Sequence, residues 1–218
     1  PSANTAPQPG KGRLGEITEV ALNWSPDRVT AAANPTIILN LVQSVNSSTF
    51  VPPSPDPSGI AFNSSRNRLL ISDAEVDEMP ALFTGVNLFE TTLVGTLAGT
   101  GSTYPHTLEP SGVAFNPTND HLFLADDDRH LIIEVAPGAD GVTGTADDLV
   151  TSFDTTVFNS LDSEDVTYDA TNGVLYIIDG VNAEVYRVSP GANGRFDGVP
   201  ARGGDDVVSN FDVQSNNI

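Results

Sequence analysis

One pattern recurs three times in this chain: an acid, a short alternating stretch, a polar turn, an apolar run and a second acid. Asp56-Pro57-Ser58-Gly59-Ile60-Ala61-Phe62-Asn63 leads into Arg68-Leu69-Leu70-Ile71-Ser72-Asp73. Glu109-Pro110-Ser111-Gly112-Val113-Ala114-Phe115-Asn116 leads into His121-Leu122-Phe123-Leu124-Ala125-Asp126. Asp162-Ser163-Glu164-Asp165-Val166-Thr167-Tyr168-Asp169 leads into Val174-Leu175-Tyr176-Ile177-Ile178-Asp179. Both acids keep a spacing of 53 residues from one copy to the next. A fixed period of this length marks one supersecondary unit repeated in tandem.

Each unit reads as four strands. The first alternates, as in Ile60/Phe62, Val113/Phe115 and Val166/Tyr168. Polar turns such as 116–120 and 169–173 follow. The second strand is a continuous apolar run, which predicts burial on both faces. The third is expected at 87–92, 131–135 and 184–188, and the fourth at 93–97, 149–153 and 207–211. No segment has a 3.6-residue apolar period, and Pro80 limits the 72–83 stretch to a helical turn. The expected fold is therefore all-β: a β-propeller of four-stranded antiparallel blades. About three and a half blades are present: a half-blade at 16–45 (strands 16–22 and 36–42), then blades at 56–98, 109–154 and 162–213. Residues 1–15, rich in Pro, Gly and Ala, read as a linker or tail. A closed propeller has about four to eight blades, so the expectation is an open ring or part of a larger one. Unpaired blade edges recruit partners.

The run Pro110-Ser111-Gly112-Val113-Ala114-Phe115-Asn116, a turn, and Leu122-Phe123-Leu124-Ala125-Asp126 resembles the NHL-repeat class of β-propeller. That class includes relatives in the gluconolactonase and β-propeller phytase groupings. The resemblance covers about residues 56–212 and implies a propeller fold. After Ala125-Asp126 the chain departs from the usual Asn-X-Arg-Ile turn with Asp127-Asp128-Arg129-His130, and the first blade carries an insertion at 74–84. Through the phytase and lactonase relatives the resemblance also implies a rival function, a metal-dependent hydrolase.

Charge narrows the partners. Nine basic residues stand against 29 acidic ones, a net −20. Such a surface does not neutralise nucleic-acid phosphates and is not drawn to anionic membranes. No apolar run approaches the roughly 20 residues of a membrane helix, so membrane insertion is not expected. No signal peptide is visible, as Pro1-Ser2-Ala3 opens a polar stretch. Cysteine is absent, which removes disulfides, thiolate metal sites and cysteine nucleophiles. Charged residues are only 17% of the chain, so most acids lack a basic partner. Either they bind divalent cations, or they suit salty, extracellular surroundings.

The acids fall into two groups. Propeller connectivity places Asp56, Glu109 and Asp162, then Asp73, Asp126 and Asp179, with Glu164 and Asp165, on one face near the axis. There they offer oxygen ligands at a channel mouth, or cap turns with their side chains. The second group lies in two third-to-fourth-strand loops. Residues 137–148 and 190–206 both begin Pro-Gly-Ala-(Asp/Asn)-Gly and both end Asp-Asp. They resemble the calcium loops of secreted bacterial repeat proteins. Asp140, Asp147 and Asp148, and Asn193, Asp197, Asp205 and Asp206, are the candidate Ca²⁺ ligands; the competing reading is a metal-free hairpin turn. The shorter loop at 137–148 is expected to bind more tightly, because it costs less entropy to order. Catalytic residues are not assigned. His106, His121 and His130 form no recognisable triad, Arg129 is the one basic residue near the mouth acids, and Trp24 reads as packing. The expected function is a calcium-stabilised, non-enzymatic binding or assembly module, extracellular or at the cell surface. Its expected partner is a protein or subunit at the open blade edges, with a glycan or small ligand as the other candidate. The alternative is the metal-dependent hydrolase, of phytase or lactonase type, with its site at the acidic mouth.

Overall fold

The computed structural model describes residues 16–22 and 39–213. Its strands are β1 (Glu16–Leu22), β2 (Leu39–Asn46), β3 (Pro57–Asn63), β4 (Arg68–Asp73), β5 (Leu88–Thr91), β6 (Leu97–Gly101), β7 (Pro110–Phe115), β8 (Leu122–Asp126), β9 (Leu131–Ala136), β10 (Leu149–Asp154), β11 (Ser163–Asp169), β12 (Val174–Asp179), β13 (Glu184–Ser189) and β14 (Val207–Asp212). They form three antiparallel four-stranded sheets, β3-β4-β5-β6, β7-β8-β9-β10 and β11-β12-β13-β14, and the pair β1-β2. The first strand of each sheet packs against the first strand of the next, β3 on β7 and β7 on β11. The fold is all-β, a partial propeller of three blades whose sheets do not close into a ring. The helical residues described are 3-10 turns, one of them Val76–Glu78 in the first-blade insertion.

A bulge opens each inner strand. The register slips between Pro57 and Gly59, between Pro110 and Gly112, and between Ser163 and Asp165. At this point the next blade comes closest. A Cβ on Gly59 would lie 2.8 Å from the backbone nitrogen of Val113, and one on Gly112 would lie 2.6 Å from Cα of Asp165. Glycine is needed there for want of space. The preceding serine joins the blades. Ser58 Oγ donates to the Pro110 carbonyl (3.2 Å) and Ser111 Oγ to the Ser163 carbonyl (3.1 Å).

Apolar faces fill the spaces between sheets. Val113, Phe115, Leu122, Leu124 and Ile133 of the second blade bury against Leu70 and Leu88 of the first. The opposite face of the second blade, with Phe123, Ile132 and Phe153, buries against Val166, Leu175, Ile177, Tyr186 and Phe196. The crossings between blades are held by buried hydroxyls. Ser47 Oγ donates to the Ser54 carbonyl, Thr103 Oγ1 to that of Thr107, and Thr155 Oγ1 to that of Ser160.

Two strand positions differ from the sequence expectation. The fourth strand of the first blade is Leu97–Gly101, not 93–97. Residues 92–96 are a turn: Gly95 has φ +75°, and Thr96 N donates to Thr92 Oγ1 (3.1 Å). The apolar pair Leu93-Val94 mimics a strand start, but the left-handed glycine reverses the chain after it. In the half-blade, β2 (Leu39–Asn46) runs past the expected end at 42 until Asn46 caps the turn Ser47–Thr49; residues 36–38 of the expected strand lie outside the described residues. Trp24 and the loop 25–36, with Asp27, lie outside the described residues.

Substitution at the bulge tests this packing. Gly112→Ala drives a methyl into the β11 backbone and should cost about 1–3 kcal/mol. Ser111→Ala should cost about 1 kcal/mol. Gly141→Ala meets nothing within 4 Å but has φ +68°, so its cost is backbone strain alone. Urea melts should rank Gly112→Ala the worst of the three. Equal midpoints for Gly112→Ala and wild type would show that the blades are not in this contact.

Candidate metal centre

Two loops between third and fourth strands start alike. Gly141 N donates to the Gly138 carbonyl and Gly194 N to that of Gly191, both at 3.1 Å. Val142 N donates to Asp140 Oδ1 (2.8 Å) and Arg195 N to Asn193 Oδ1 (2.7 Å). A Cβ on Gly138 would overlap the Asp147 carboxylate, and one on Gly191 the Asp205 carboxylate. The Pro-Gly start therefore makes room for the first acid of each Asp-Asp pair.

The loops then diverge. In the third blade the carboxylate oxygens of Asp197, Asp205 and Asp206 converge, with one atom from each within 4.8 Å of the others. Asp206 is 3% exposed; its Oδ2 accepts from Gly198 N (2.7 Å), and its Oδ1 is buried with no partner. Asp205 Oδ2 accepts from Asn193 N (3.1 Å), and its Oδ1 is likewise buried and without a partner. Asp197 accepts from Asp205 N (3.2 Å) and from Asn193 Nδ2 (2.7 Å). Burial, then the Asp197 charge, pushes the Asp206 carboxyl up to about 6. Among the described residues no Lys or Arg pairs with this triad. Two orphaned carboxylate oxygens aimed at a third acid suit a hard divalent cation.

In the second blade the acids are engaged by the loop itself. Asp148 Oδ2 accepts from Gly144 N (2.6 Å) and Thr145 N (3.0 Å), and its Oδ1 from Gly138 N (3.3 Å). Asp147 accepts from Thr145 Oγ1 (2.8 Å) and Asp140 N (3.4 Å), and the Thr145 bond holds its carboxyl below the usual range. The residue in the place of Asp197 is Gly144, whose carbonyl accepts from Ser102 N of the first blade (3.1 Å). The 137–148 loop is shorter, yet its acids are not gathered into a cluster. The sequence expectation gave weight to loop length; the position that separates the loops is 197 against 144.

The axial acids divide by depth. Asp73, Asp126 and Asp179 stand opposite Pro57, Pro110 and Ser163 in the sheet register and are buried. Asp73 Oδ2 accepts from Ser54 Oγ (2.7 Å) and Asp56 N (3.1 Å). Asp179 accepts from Leu161 N (2.7 Å), Asp162 N (3.3 Å) and Asn182 N (2.5 Å). Asp126 accepts from Arg129 N (2.8 Å). Asp179 thus ties the segment entering its blade to the turn leaving β12, Asp73 holds the entering segment, and Asp126 holds the turn that leaves β8. Asp56, Glu109 and Asp162 are half-buried beside them, and Glu164 and Asp165 are exposed. Glu109 is pushed up to about 7 by burial and then by Asp128, Asp127, Glu75 and Asp77. Glu75 and Asp77 come from the 74–84 insertion, which the repeat alignment sets aside; the Asp126-Asp127-Asp128 run was the signal for the rest.

The histidines are dispersed. His121 Nδ1 meets Glu134 Oε1 at 2.6 Å, the His106 carbonyl accepts from Arg129 Nη1 (2.6 Å), and His130 sits in a turn with φ +57°. Arg129, the basic residue nearest the mouth acids, is thus tied to backbone.

No family model matches the sequence, and no curated protein does. Among solved structures the chain is similar to hydrazine synthase from Kuenenia stuttgartiensis (10% identity, TM-score 0.42, 72% of this chain and 46% of that one). It is similar too to a structural genomics protein of unknown function from Bacteroides thetaiotaomicron (12% identity, TM-score 0.41, 79% of this chain and 42% of that one). The chain spans less than half the length of each. Neither similarity bears on activity, and the blade architecture rests on the three sheets themselves.

The raised carboxyls fix a pH dependence. A carboxyl whose folded pKa lies above its unfolded value contributes stability at low pH that is lost as pH rises through the folded pKa. With cations chelated, the melting temperature should fall between about pH 4 and pH 7 as Asp206 and then Glu109 ionise, and level off above. Asp206→Asn and Glu109→Gln should each flatten part of that slope. A melting temperature that rises across this range in both variants and wild type would contradict the assignment.

Proposed function

We propose that this chain is a calcium-stabilised, non-enzymatic β-propeller module, extracellular or at the cell surface, that works by assembly. Its blades are best grouped with NHL-type repeats, on the Pro-Ser-Gly-Val-Ala-Phe-Asn and Leu-Ala-Asp runs of the second blade. The assembly reading is carried by one observation. Ile60 and Phe62 on β3 are 53% and 50% exposed, whereas Val113 and Phe115, their repeats on β7, are 3% and 8% exposed. The β3 face is thus built like a contact between blades. The half-blade reaches its outer part, where Phe50 and Val45 pack on Ile71 and Phe89, and leaves Ile60 and Phe62 open.

The proposed occupant is a second copy of this chain, related by a two-fold axis. Two-fold pairing of one surface with itself is the commonest oligomer geometry. Head-to-tail stacking is disfavoured, because Asp165 of the third blade stands where Gly59 and Gly112 admit the next backbone. Sedimentation at rising concentration should show a dimer that Ile60→Ser with Phe62→Ser dissolves. A monomer throughout, or activity of the wild type on a phosphate ester or lactone, would overturn the reading.

Calcium is assigned to Asp197, Asp205 and Asp206, with Asn193 beside them; Asp140, Asp147 and Asp148 are the weaker set. A ligand at a hundred times its Kd adds about 2.7 kcal/mol, on the order of 5–10 °C for a domain of this size. Ca²⁺ should raise the midpoint more than Mg²⁺, which dehydrates reluctantly and wants a tighter octahedron. Asp197→Ala should remove most of that gain, and Asp140→Ala with Asp148→Ala little of it. Coincident melts in EDTA and Ca²⁺ would remove the metal from this account.

A further inference from the structure

The two contacts between neighbouring blades are not equally filled. Between the second and third blades, Phe196 from the 190–206 loop lies edge-on to Phe123 (5.2 Å between centroids) and near Tyr168 (6.5 Å). Phe153 on β10, paired with Ile132, completes that filling. Between the first and second blades the same two places hold small residues. Thr143 stands in the place of Phe196, since both follow the same hydrogen-bonded Gly-X-X-Gly turn by two residues. Gly101, paired with Leu88, stands in the place of Phe153. A cavity of about 280 Å³ results, with Leu70 and Leu88 on its floor and Gly99, Gly101 and Thr143 on its wall.

We infer that this cavity is a binding site for a small molecule carrying one aromatic ring and an ammonium group. The ring fits because the equivalent space in the next contact is occupied by two phenyl side chains. The ammonium follows from charge at the cavity. Glu90 is paired with Arg66 (Nε to Oε1 3.1 Å), which leaves Asp120, whose Oδ1 accepts from Ser65 Oγ (2.5 Å), as the uncompensated charge. A carboxylate left without a basic partner favours a cationic ligand over an anionic one.

The test is a titration followed by amide NMR shifts, with benzylamine as the probe. Methylamine and benzoate serve as controls at matched ionic strength. Benzylamine should shift the amides of Gly99, Gly101 and Thr143 with a Kd on the order of 1 mM. Thr143→Phe supplies the missing ring and should weaken binding about tenfold, a change of about 1.4 kcal/mol. Gly99→Thr copies the residue that β10 carries at Thr151, and should do the same if Thr143→Phe fails to fold. Its new Cβ meets Glu90 alone, at Oε2 (3.2 Å) and Cβ (3.6 Å). The inference is overturned if methylamine or benzoate shifts these amides as strongly as benzylamine, or if a folded variant binds as wild type does.

Discussion

Each inner strand enters its sheet through a one-residue bulge, and in the first two blades the backbone of the next blade rests on the glycine inside it. A Cβ at Gly59 or Gly112 would stand 2.8 or 2.6 Å from a backbone atom of the next inner strand, too close for the strands to keep their present spacing. The serine before each glycine would then no longer reach the neighbouring carbonyl. The distance between inner strands sets where the faces of adjacent sheets meet. It thereby decides that Val113 and Phe115 bury against Leu70 and Leu88, and Phe123 against Phe196 and Tyr168. A Pro-Ser-Gly tripeptide thus governs a core built from side chains many residues away. The cost of an overpacked contact, about 1–3 kcal/mol, is large against the stability of a domain this size.

A chain with net charge −20 must place its acids where ionisation is tolerable or useful. Asp179 is buried with backbone amides in place of the water it loses. Asp73 has Ser54 Oγ and the Asp56 amide, yet burial still pushes its carboxyl up. The acids of the 137–148 loop accept from amides near the surface. In Glu109 and Asp206 the loss of water outweighs such bonds. Each is desolvated with like charges nearby, and each is pushed up toward neutrality. Both groups retain buried oxygens with no hydrogen-bond partner, Asp205 Oδ1 and Asp206 Oδ1 at the triad and Asp73 Oδ1, Asp77 Oδ1, Asp126 Oδ2 and Asp127 Oδ1 at the mouth. Among the described residues only the triad brings three carboxylates within 4.8 Å of one another.

The propeller was legible because the register of 53 residues is a property of the backbone path. Every blade repeats its acid, strand, turn and strand, and the sheets follow. The strand at Leu97–Gly101 was less legible, since Leu93-Val94 carries the apolar signal while Gly95 carries the turn. The candidate site was legible as two loops of matching composition. Their difference rests on one position, where Asp197 adds a third carboxylate and Gly144 docks against the first blade. Composition weighs the two loops alike; only the fold shows which carboxylates meet and which are already hydrogen-bonded to amides. The crossing hydroxyls of Ser47, Thr103 and Thr155 carried no signal, because Ser and Thr are common in polar loops.

The third blade breaks the rule that joins the other two. Where they have Ser-Gly it has the acidic pair Glu164-Asp165. Both are exposed, and Asp165 Oδ1 turns back to accept from Val166 N (2.8 Å). An inner strand brought to β11 at the spacing β7 keeps from β3 would meet the Asp165 Cβ and find no hydroxyl to bridge to. The two outward faces of this module are therefore unequal in kind. The open face of β3 carries the apolar pair Ile60 and Phe62, with Gly59 turned to β7, while the third blade has Asp165 where the other inner strands have glycine. Charges set inward on an exposed sheet are a known device against unwanted strand addition. Asp165 lies across from the exposed Ile178 of β12, so a charge interrupts an otherwise partly apolar face at the place where an inner strand would come closest.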